Sequence, residues 1–322
     1  MVRIGVLGAS GIAPLAIVGP AKGRADCEVV CVAARDGRRA RDYADAHGIP
    51  EAVGDYATLI ARDDIDLVYN GLMHDRHADL SIAAAEAGKA VLCEKPFAMN
   101  AAEAEAMAAA SARTGRPVME AFHYRHHPAF AAFADAVRAA GAVRAWEGMF
   151  EVNIPPESTR YVRELGGGAV MDLGCYPLHA LRQLAGEAEV VAARAWEASP
   201  GVDRRVEAEL DFGGVPGRVT CDMGSTERRM VLAADTVGGR VEYANFVHPY
   251  RGYRIVRDGE VVAEGETART TFDHQLDHVV AVMEGRAEPL TGGADAVANM
   301  RLIDAVYRAA GMEPRGRLVG AQ

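Results

Sequence analysis

The chain has 322 residues, 50% hydrophobic and 25% charged, with a formal net charge of −10, which suits about two globular domains. Its basic residues are scattered rather than clustered, which argues against a nucleic-acid or anionic-membrane partner. No apolar run approaches the roughly 18 residues of a membrane span. A strand beginning at residue 2 leaves no room for a signal peptide. Five cysteines without CxxC spacing read as reduced, mostly buried thiols, so the expectation is a soluble cytoplasmic protein with no metal site.

Residues 3–7 form a first strand that runs straight into Gly8-Ala9-Ser10-Gly11-Ile12-Ala13. A dinucleotide fingerprint needs a tight turn, a close backbone approach to pyrophosphate and close helix packing. Here Gly8, Ser10 and Ala13 take those positions, with Gly11 between them and a small serine in place of the second glycine. The second strand, 28–33, ends in Ala34-Arg35-Asp36. An acid at this tip holds a ribose 2′-hydroxyl, whereas an arginine suits a 2′-phosphate. Arg35 at the tip and Arg39 on the following helix therefore favour NADP, with NAD as the alternative.

Helices at 41–48 and 56–62 precede a third strand, 65–69, and the loop 70–77 containing Leu72, Met73, His74 and His77. That loop falls at the same sheet edge as Gly8, which makes its residues cofactor-pocket candidates; His77 is equally placed to cap the next helix. After a helix at 78–88, Val91-Leu92-Cys93 reads as a buried parallel strand ending in Glu94-Lys95-Pro96. Open α/β sheets bind ligands at this end of the strands, and Pro96 restricts Lys95 to an extended conformation. A helix at 101–114 and a strand at 117–122 complete a β-α-β alternation, hence a doubly wound parallel sheet over residues 1–122.

From 123 the pattern changes. A helix to about 140 is followed by strand-like runs at 145–154, 190–198, 205–212, 217–223, 230–236 and 239–243, separated in part by glycine-rich turns. This predicts an α+β domain over 123–322 with a mainly antiparallel sheet whose broad face suits a subunit interface. One helical stretch, 166–182, interrupts the strands and spaces Asp172, Tyr176 and His179 at i, i+4 and i+7, on one helix face. Polar groups on an otherwise apolar helix need partners or a cavity. Two amphipathic helices, 272–284 and 295–310, close the chain.

Glu94-Lys95-Pro96, the segment from Glu120 to Pro128 and Gly166-Gly167-Gly168-Ala169-x-Met171-Asp172-x-Gly174-Cys175-Tyr176, together with the Gly8 turn, resemble the Gfo/Idh/MocA oxidoreductases. The likeness runs along the whole chain. It is strongest to the branch of dimeric dihydrodiol dehydrogenases, D-xylose dehydrogenases and nucleotide-sugar ketoreductases. It implies a Rossmann domain followed by a domain with a large open, mainly antiparallel sheet, and a homo-oligomer, dimer or tetramer, through that sheet. It also implies an NAD(P)-dependent enzyme acting on CH–OH groups of a sugar, polyol or nucleotide-linked sugar. The catalytic roles it transfers fall on Lys95 and Tyr176, and it implies a cis bond before Pro96; Asp172, one turn before Tyr176, is placed to hydrogen-bond substrate or fix Lys95. Glu94 belongs with the cofactor set; His123, Arg125, Arg160 and His179 are the substrate candidates. Met73-His74 departs from the Pro-Asn common in the family. A transient-oxidation glycosidase, a trans-dihydrodiol dehydrogenase and a non-catalytic sensor are the alternatives on the same fold.

Overall fold

The computed structural model describes residues 1–316. Contacts divide the chain into two units, Met1–Phe122 with Phe272–Val297, and His123–Thr271 with the chain from Ala298 onward.

In the first unit, β1 (Val2–Leu7), β2 (Cys27–Ala33), β3 (Glu51–Val53), β4 (Leu67–Asn70), β5 (Ala90–Cys93) and β6 (Val118–Glu120) form one sheet. The order is β3-β2-β1-β4-β5-β6, with every pairing parallel. The order reverses between β1 and β4, and in such sheets ligands bind beyond the strand ends at that reversal. The central strands are buried on both faces, which is why Leu67–Asn70 and Ala90–Cys93 read as unbroken apolar runs rather than alternating ones. β3 is absent from the sequence pattern because three half-exposed residues are too few to show a period.

The helix after β2 begins at Gly37, earlier than the pattern suggests, because the Asp36 side chain caps it by accepting from Arg38 N and Arg39 N. The stretch 272–297, grouped by sequence order with the second domain, packs with the first sheet instead. Helix Thr271–Met283 buries Phe272, Leu276, Val279 and Val280 in the core that holds Ile4, Val6 and Leu92. Each such side chain contributes about 1.5–3 kcal/mol of burial, and Arg24 Nη1 adds a 2.6 Å ion pair to Asp277.

In the second unit, β7 (Val143–Asn153), β8 (Glu189–Ser199), β9 (Val202–Asp211), β10 (Pro216–Asp222), β11 (Gly224–Thr236), β12 (Gly239–Ala244), β13 (Tyr253–Arg257) and β14 (Glu260–Gly265) form an eight-stranded sheet. Its order is β14-β13-β12-β11-β7-β10-β9-β8. Six of its seven pairings are antiparallel, and only β10 runs parallel to β7. The parallel pair follows from connectivity: the helix Cys175–Ala185 carries the chain from β7 back to the start of the β8–β9–β10 meander, so its third strand runs like β7. Gly148 on β7 lets that helix approach closely, since a Cβ there would lie 2.8 Å from Pro177 Cβ.

The helical stretch around Asp172 is not one regular helix. Val170–Gly174 is a π turn and Cys175–Ala185 an α-helix. A π turn closes i→i+5, so the α-helical i, i+4 alignment of Asp172 with Tyr176 does not carry over.

Candidate active site

At the end of β1, Gly8 has φ +99°, a left-handed conformation suited to glycine, and a Cβ there would lie 2.8 Å from Leu72 Cδ2. The turn is fixed from three directions. Tyr43 Oη donates to Ser10 O at 2.8 Å, Arg39 Nη2 to Ala9 O at 3.1 Å and Ala13 N to Ser10 Oγ at 3.4 Å. A Cβ on Gly11 would meet nothing within 4 Å, so the chain next to Ile12 is open for a bound group to approach. Arg39 thus holds the turn itself, while Arg35 is exposed and makes no hydrogen bond or ion pair among the described residues. Asp36, next in the chain, is committed to its cap, and the two backbone N–H bonds hold its carboxyl below the usual range.

The loop after β4 is built on Asn70, a residue to which the sequence pattern gives no role. Its buried Nδ2 donates to Arg76 O at 3.2 Å, His77 O at 3.3 Å and Ser81 Oγ at 3.1 Å. Met73 is extended, and His74 opens a single 3₁₀ turn, its ring edge-on to that of His77 at 5.4 Å. His77 is fully buried at the first position of helix His77–Glu86, with Nδ1 2.9 Å from Pro96 O and Nε2 3.2 Å from Leu72 O. It lies between the Leu72 and Pro96 carbonyls. Burial pushes its pKa down to about 4, so the neutral ring donates through one nitrogen, and the shorter contact to Pro96 O fits that donor.

The folded value lies below the ordinary ~6.5 of an unfolded histidine. The stabilisation from neutral His77 is therefore complete above pH 6.5 and is lost as pH falls towards 4. Relative to His77→Gln, the wild type should lose roughly 2–3 kcal/mol between pH 7 and pH 4.5, read by chemical denaturation. A difference that stays constant with pH would mean that the ring is not held neutral.

β5 delivers Glu94 and Lys95 to the same sheet edge. Glu94 is buried and accepts from Tyr69 Oη at 2.8 Å. Burial raises its carboxyl pKa, with Lys95 pulling the other way. Lys95 is half-buried while its neighbours Glu94 and Pro96 are buried, and the Lys95–Pro96 peptide is cis, as the resemblance implies.

In the second unit Tyr176 is buried in the first turn of helix Cys175–Ala185, its ring edge-on to Phe150 at 5.6 Å. Its hydroxyl lies 3.2 Å from His123 Nε2, and His123 Nδ1 lies 2.8 Å from Thr271 Oγ1. His123, expected at the substrate, is 3% exposed and forms the middle of a buried Tyr176–His123–Thr271 chain. His179 is fully buried, with Nδ1 2.5 Å from Tyr124 Oη. Arg125 lies 5.0 Å over the Phe130 ring and donates to Gln183. Asp172 and Arg160 meet in an ion pair at 2.9 Å, the arginine half exposed and the aspartate nearly buried.

A buried cluster invisible in the sequence pattern holds this helix start in place. Asp203 Oδ2 accepts from Val170 N at 2.8 Å; Oδ1 accepts from Tyr307 Oη at 3.0 Å and Arg315 Nη2 at 2.5 Å. Arg315 Nε donates to Gly167 O at 2.7 Å, and its guanidinium lies 4.2 Å over the Tyr307 ring. The cluster explains the triple glycine. Gly168 has φ +137° and any Cβ would fall 2.1 Å from Asp203 Oδ1, while a Cβ on Gly167 would fall 2.5 Å from Arg160 O.

Among the described residues no helix is long and apolar enough to cross a membrane, and no group of three or more His, Cys, Asp or Glu could hold a metal ion. The five cysteines are buried free thiols.

Residues 2–122 match the family described as an oxidoreductase family with an NAD-binding Rossmann fold, and residues 136–243 match the Gfo/Idh/MocA C-terminal domain. A D-xylose 1-dehydrogenase (NADP(+)) of Haloferax volcanii is 34% identical over 95% of this chain and 96% of its own length. A trans-1,2-dihydrobenzene-1,2-diol dehydrogenase of Oryctolagus cuniculus is 37% identical over 67% of each chain. Among solved structures, a 3-ketoreductase from Actinomadura kijaniata in complex with NADP and TDP-benzene superimposes with a TM-score of 0.87 at 27% identity, covering 96% of this chain and 97% of its own. Further structures of that ketoreductase carry a lysine-to-alanine and a tyrosine-to-phenylalanine replacement. With both domains matched in order along its length, the chain belongs to the Gfo/Idh/MocA family of NAD(P)-dependent oxidoreductases.

Proposed function

We propose that the protein is an NADP-dependent dehydrogenase or ketoreductase that interconverts a hydroxyl and a carbonyl on a sugar, polyol or nucleotide-linked sugar. The observation that carries this reading is the Tyr176–His123–Thr271 chain, a buried phenol in hydrogen-bond contact with an imidazole that can exchange its proton. A sensor that only binds a dinucleotide needs no such chain. The named activities of the xylose dehydrogenase and ketoreductase relatives point the same way.

Bound nicotinamide dinucleotide supplies the hydride acceptor or donor. The residues available for it fit: a left-handed Gly8, an open face at Gly11, and an exposed Arg35 that makes no ion pair among the described residues. Because Asp36 is spent on its helix cap, Arg35 is the group at the β2 tip free to meet a 2′-phosphate, which supports NADP over NAD. Glu94, Leu72, Met73 and His74 complete the proposed cofactor side. His77 belongs to it through the backbone carbonyls it contacts.

Lys95 and Tyr176 form the acid–base pair of the proposal. An unperturbed phenol, with a pKa of about 10, is a poor base near neutral pH. His123 Nε2 beside Tyr176 Oη gives the phenol proton a place to go as the substrate hydroxyl gives up its own. In the reducing direction the same atoms return a proton to the new alkoxide. The Lys95 ammonium polarises the reacting oxygen. Asp172, charge-balanced by Arg160, is a substrate hydrogen-bond acceptor in this reading, with Arg125 and His179 shaping the surroundings.

The oligomer proposed through the second sheet draws on exposed apolar side chains of its edge strands, Val191, Val261 and Val262, and light scattering across a concentration series tests it.

The cofactor assignment is tested by titration. The wild type should bind NADPH more tightly than NADH, and Arg35→Ala should reduce that preference by about tenfold or more. Tighter binding of NADH by the wild type would contradict the Arg35 argument. A panel of aldoses, polyols and nucleotide-linked ketosugars, followed by nicotinamide absorbance, tests the reaction class. Product formation with no net change in absorbance would favour the transient-oxidation glycosidase.

A further inference from the structure

The second sheet carries a cavity of about 470 Å³ at the ends of β11 and β12, whose lining includes Arg228, Arg229, Arg251 and Asn245 beside Met230 and Val231. No acidic residue lines it. In a chain of net charge −10, where the arginines of the same sheet at 205, 218, 240 and 254 are paired with carboxylates, this is a local reversal of sign. Arg229 has a single distant partner, Glu151 at 3.7 Å. Arg228 and Arg251 have no carboxylate within ion-pair distance among the described residues.

The cavity wall is built rather than loose. Asn245, at φ +59°, ties the turn that follows β12 by donating to His248 O at 2.9 Å and Gly252 O at 2.6 Å. Arg251 lies 5.4 Å over the Tyr250 ring, and Arg228 Nη2 approaches His248 Nδ1 at 3.4 Å. The His248 ring is in turn 5.8 Å from that of His123, which contacts the Tyr176 hydroxyl. Unpaired guanidinium groups therefore stand two side-chain rings away from the proposed acid–base tyrosine, within one unit of the protein.

We infer that this cavity receives a phosphate group carried by the substrate, so that the enzyme's sugar is a phosphate ester or a diphosphate-linked sugar rather than a neutral one. The inference rests on the oxidoreductase reading and specifies its substrate class. The Arg228 and Arg251 guanidinium forks suit an oxyanion with several acceptors and more than one charge, and a cavity of about 470 Å³ also leaves room for part of the attached sugar or nucleoside.

The test separates this inference from the oxidoreductase reading. Pyrophosphate binding is measured by calorimetry on the full chain saturated with NADP⁺, so that the Gly8 turn does not compete. The expected result is saturable binding, weakened about tenfold or more in the Arg228→Gln/Arg251→Gln variant. Equal affinity in the variant, or no binding to the wild type, overturns the cavity assignment whatever the enzyme's activity. In a parallel assay with D-glucose, D-glucose 6-phosphate and UDP-glucose, a phosphorylated compound should have at least a tenfold higher kcat/KM than the neutral sugar. Preference for the monophosphate or for the diphosphate identifies the source of the phosphate. Turnover of neutral sugars with no such preference overturns the inference and leaves the oxidoreductase standing. Absence of turnover with every sugar counts against the oxidoreductase reading, while the calorimetry still decides the cavity.

Discussion

Replacing Arg315 by alanine should lower the protein's stability by about 3–5 kcal/mol. Both Arg315 and its partner Asp203 are fully buried, at 0% side-chain exposure. Arg315 is bonded on two sides, to the Asp203 carboxylate and to Gly167 O. Burial pushes the Asp203 carboxyl pKa up and Arg315 pulls it down, so removing the arginine leaves a buried acid supported by neutral donors alone, the Val170 N–H and the Tyr307 hydroxyl among them. Arg315→Lys keeps the charge but loses the fork that reaches both Gly167 and Asp203, and should recover only part of the loss. The measurement is urea unfolding followed by tryptophan fluorescence. A loss below about 1 kcal/mol for Arg315→Ala would place the pair among marginal ion pairs. The π turn carrying Asp172 hangs on this cluster through Val170 N, so variants that still fold should also bind substrate less well.

Tyr176→Phe should lower kcat by a factor of about 10²–10⁴, the usual contribution of a positioned acid or base, with NADPH affinity unchanged. The ring fills a buried site against Phe150, and phenylalanine keeps that packing, so the loss reports the hydroxyl alone. Lys95→Met should produce a fall of similar size. The pH profiles separate the two: a profile that loses its proton-transfer limb in Tyr176→Phe but keeps it in Lys95→Met assigns the proton to the tyrosine. Near-normal turnover of Tyr176→Phe would instead route the proton through Lys95, the swapped arrangement that the same chemistry allows.

The parts of this account legible in the sequence are those with a local cause. The Gly8 turn, the apolar β5 run ending at Lys95 and the alternation of strands and helices each follow from residues adjacent in the chain, and each is where the pattern puts it. The hairpin of β13 and β14 was equally legible through Asp258-Gly259, both at positive φ, with Arg257 opposite Glu260. The strand-like runs expected from the pattern nevertheless end at 243.

What the sequence could not disclose is long-range. Arg315 meets Asp203 across 112 residues, and His123 meets Thr271 across 148. Nothing in either local context marks these side chains as partners. The helix Thr271–Met283 likewise reads as one more amphipathic helix, and its pattern cannot say which sheet it covers. The π turn at Val170–Gly174 hides behind an ordinary helical spacing, which is why Asp172, Tyr176 and His179 look like one stripe but meet different partners.

The central claim is that the protein moves hydride between a sugar carbon and NADP with proton transfer through its own side chains. It is tested most directly by a single turnover with the best sugar of the substrate panel, deuterated at the carbon to be oxidised, and NADP⁺. One deuterium should appear in the reduced cofactor for each sugar oxidised, with the transfer slowed in Tyr176→Phe and Lys95→Met. Sugar product without labelled, reduced cofactor would contradict it.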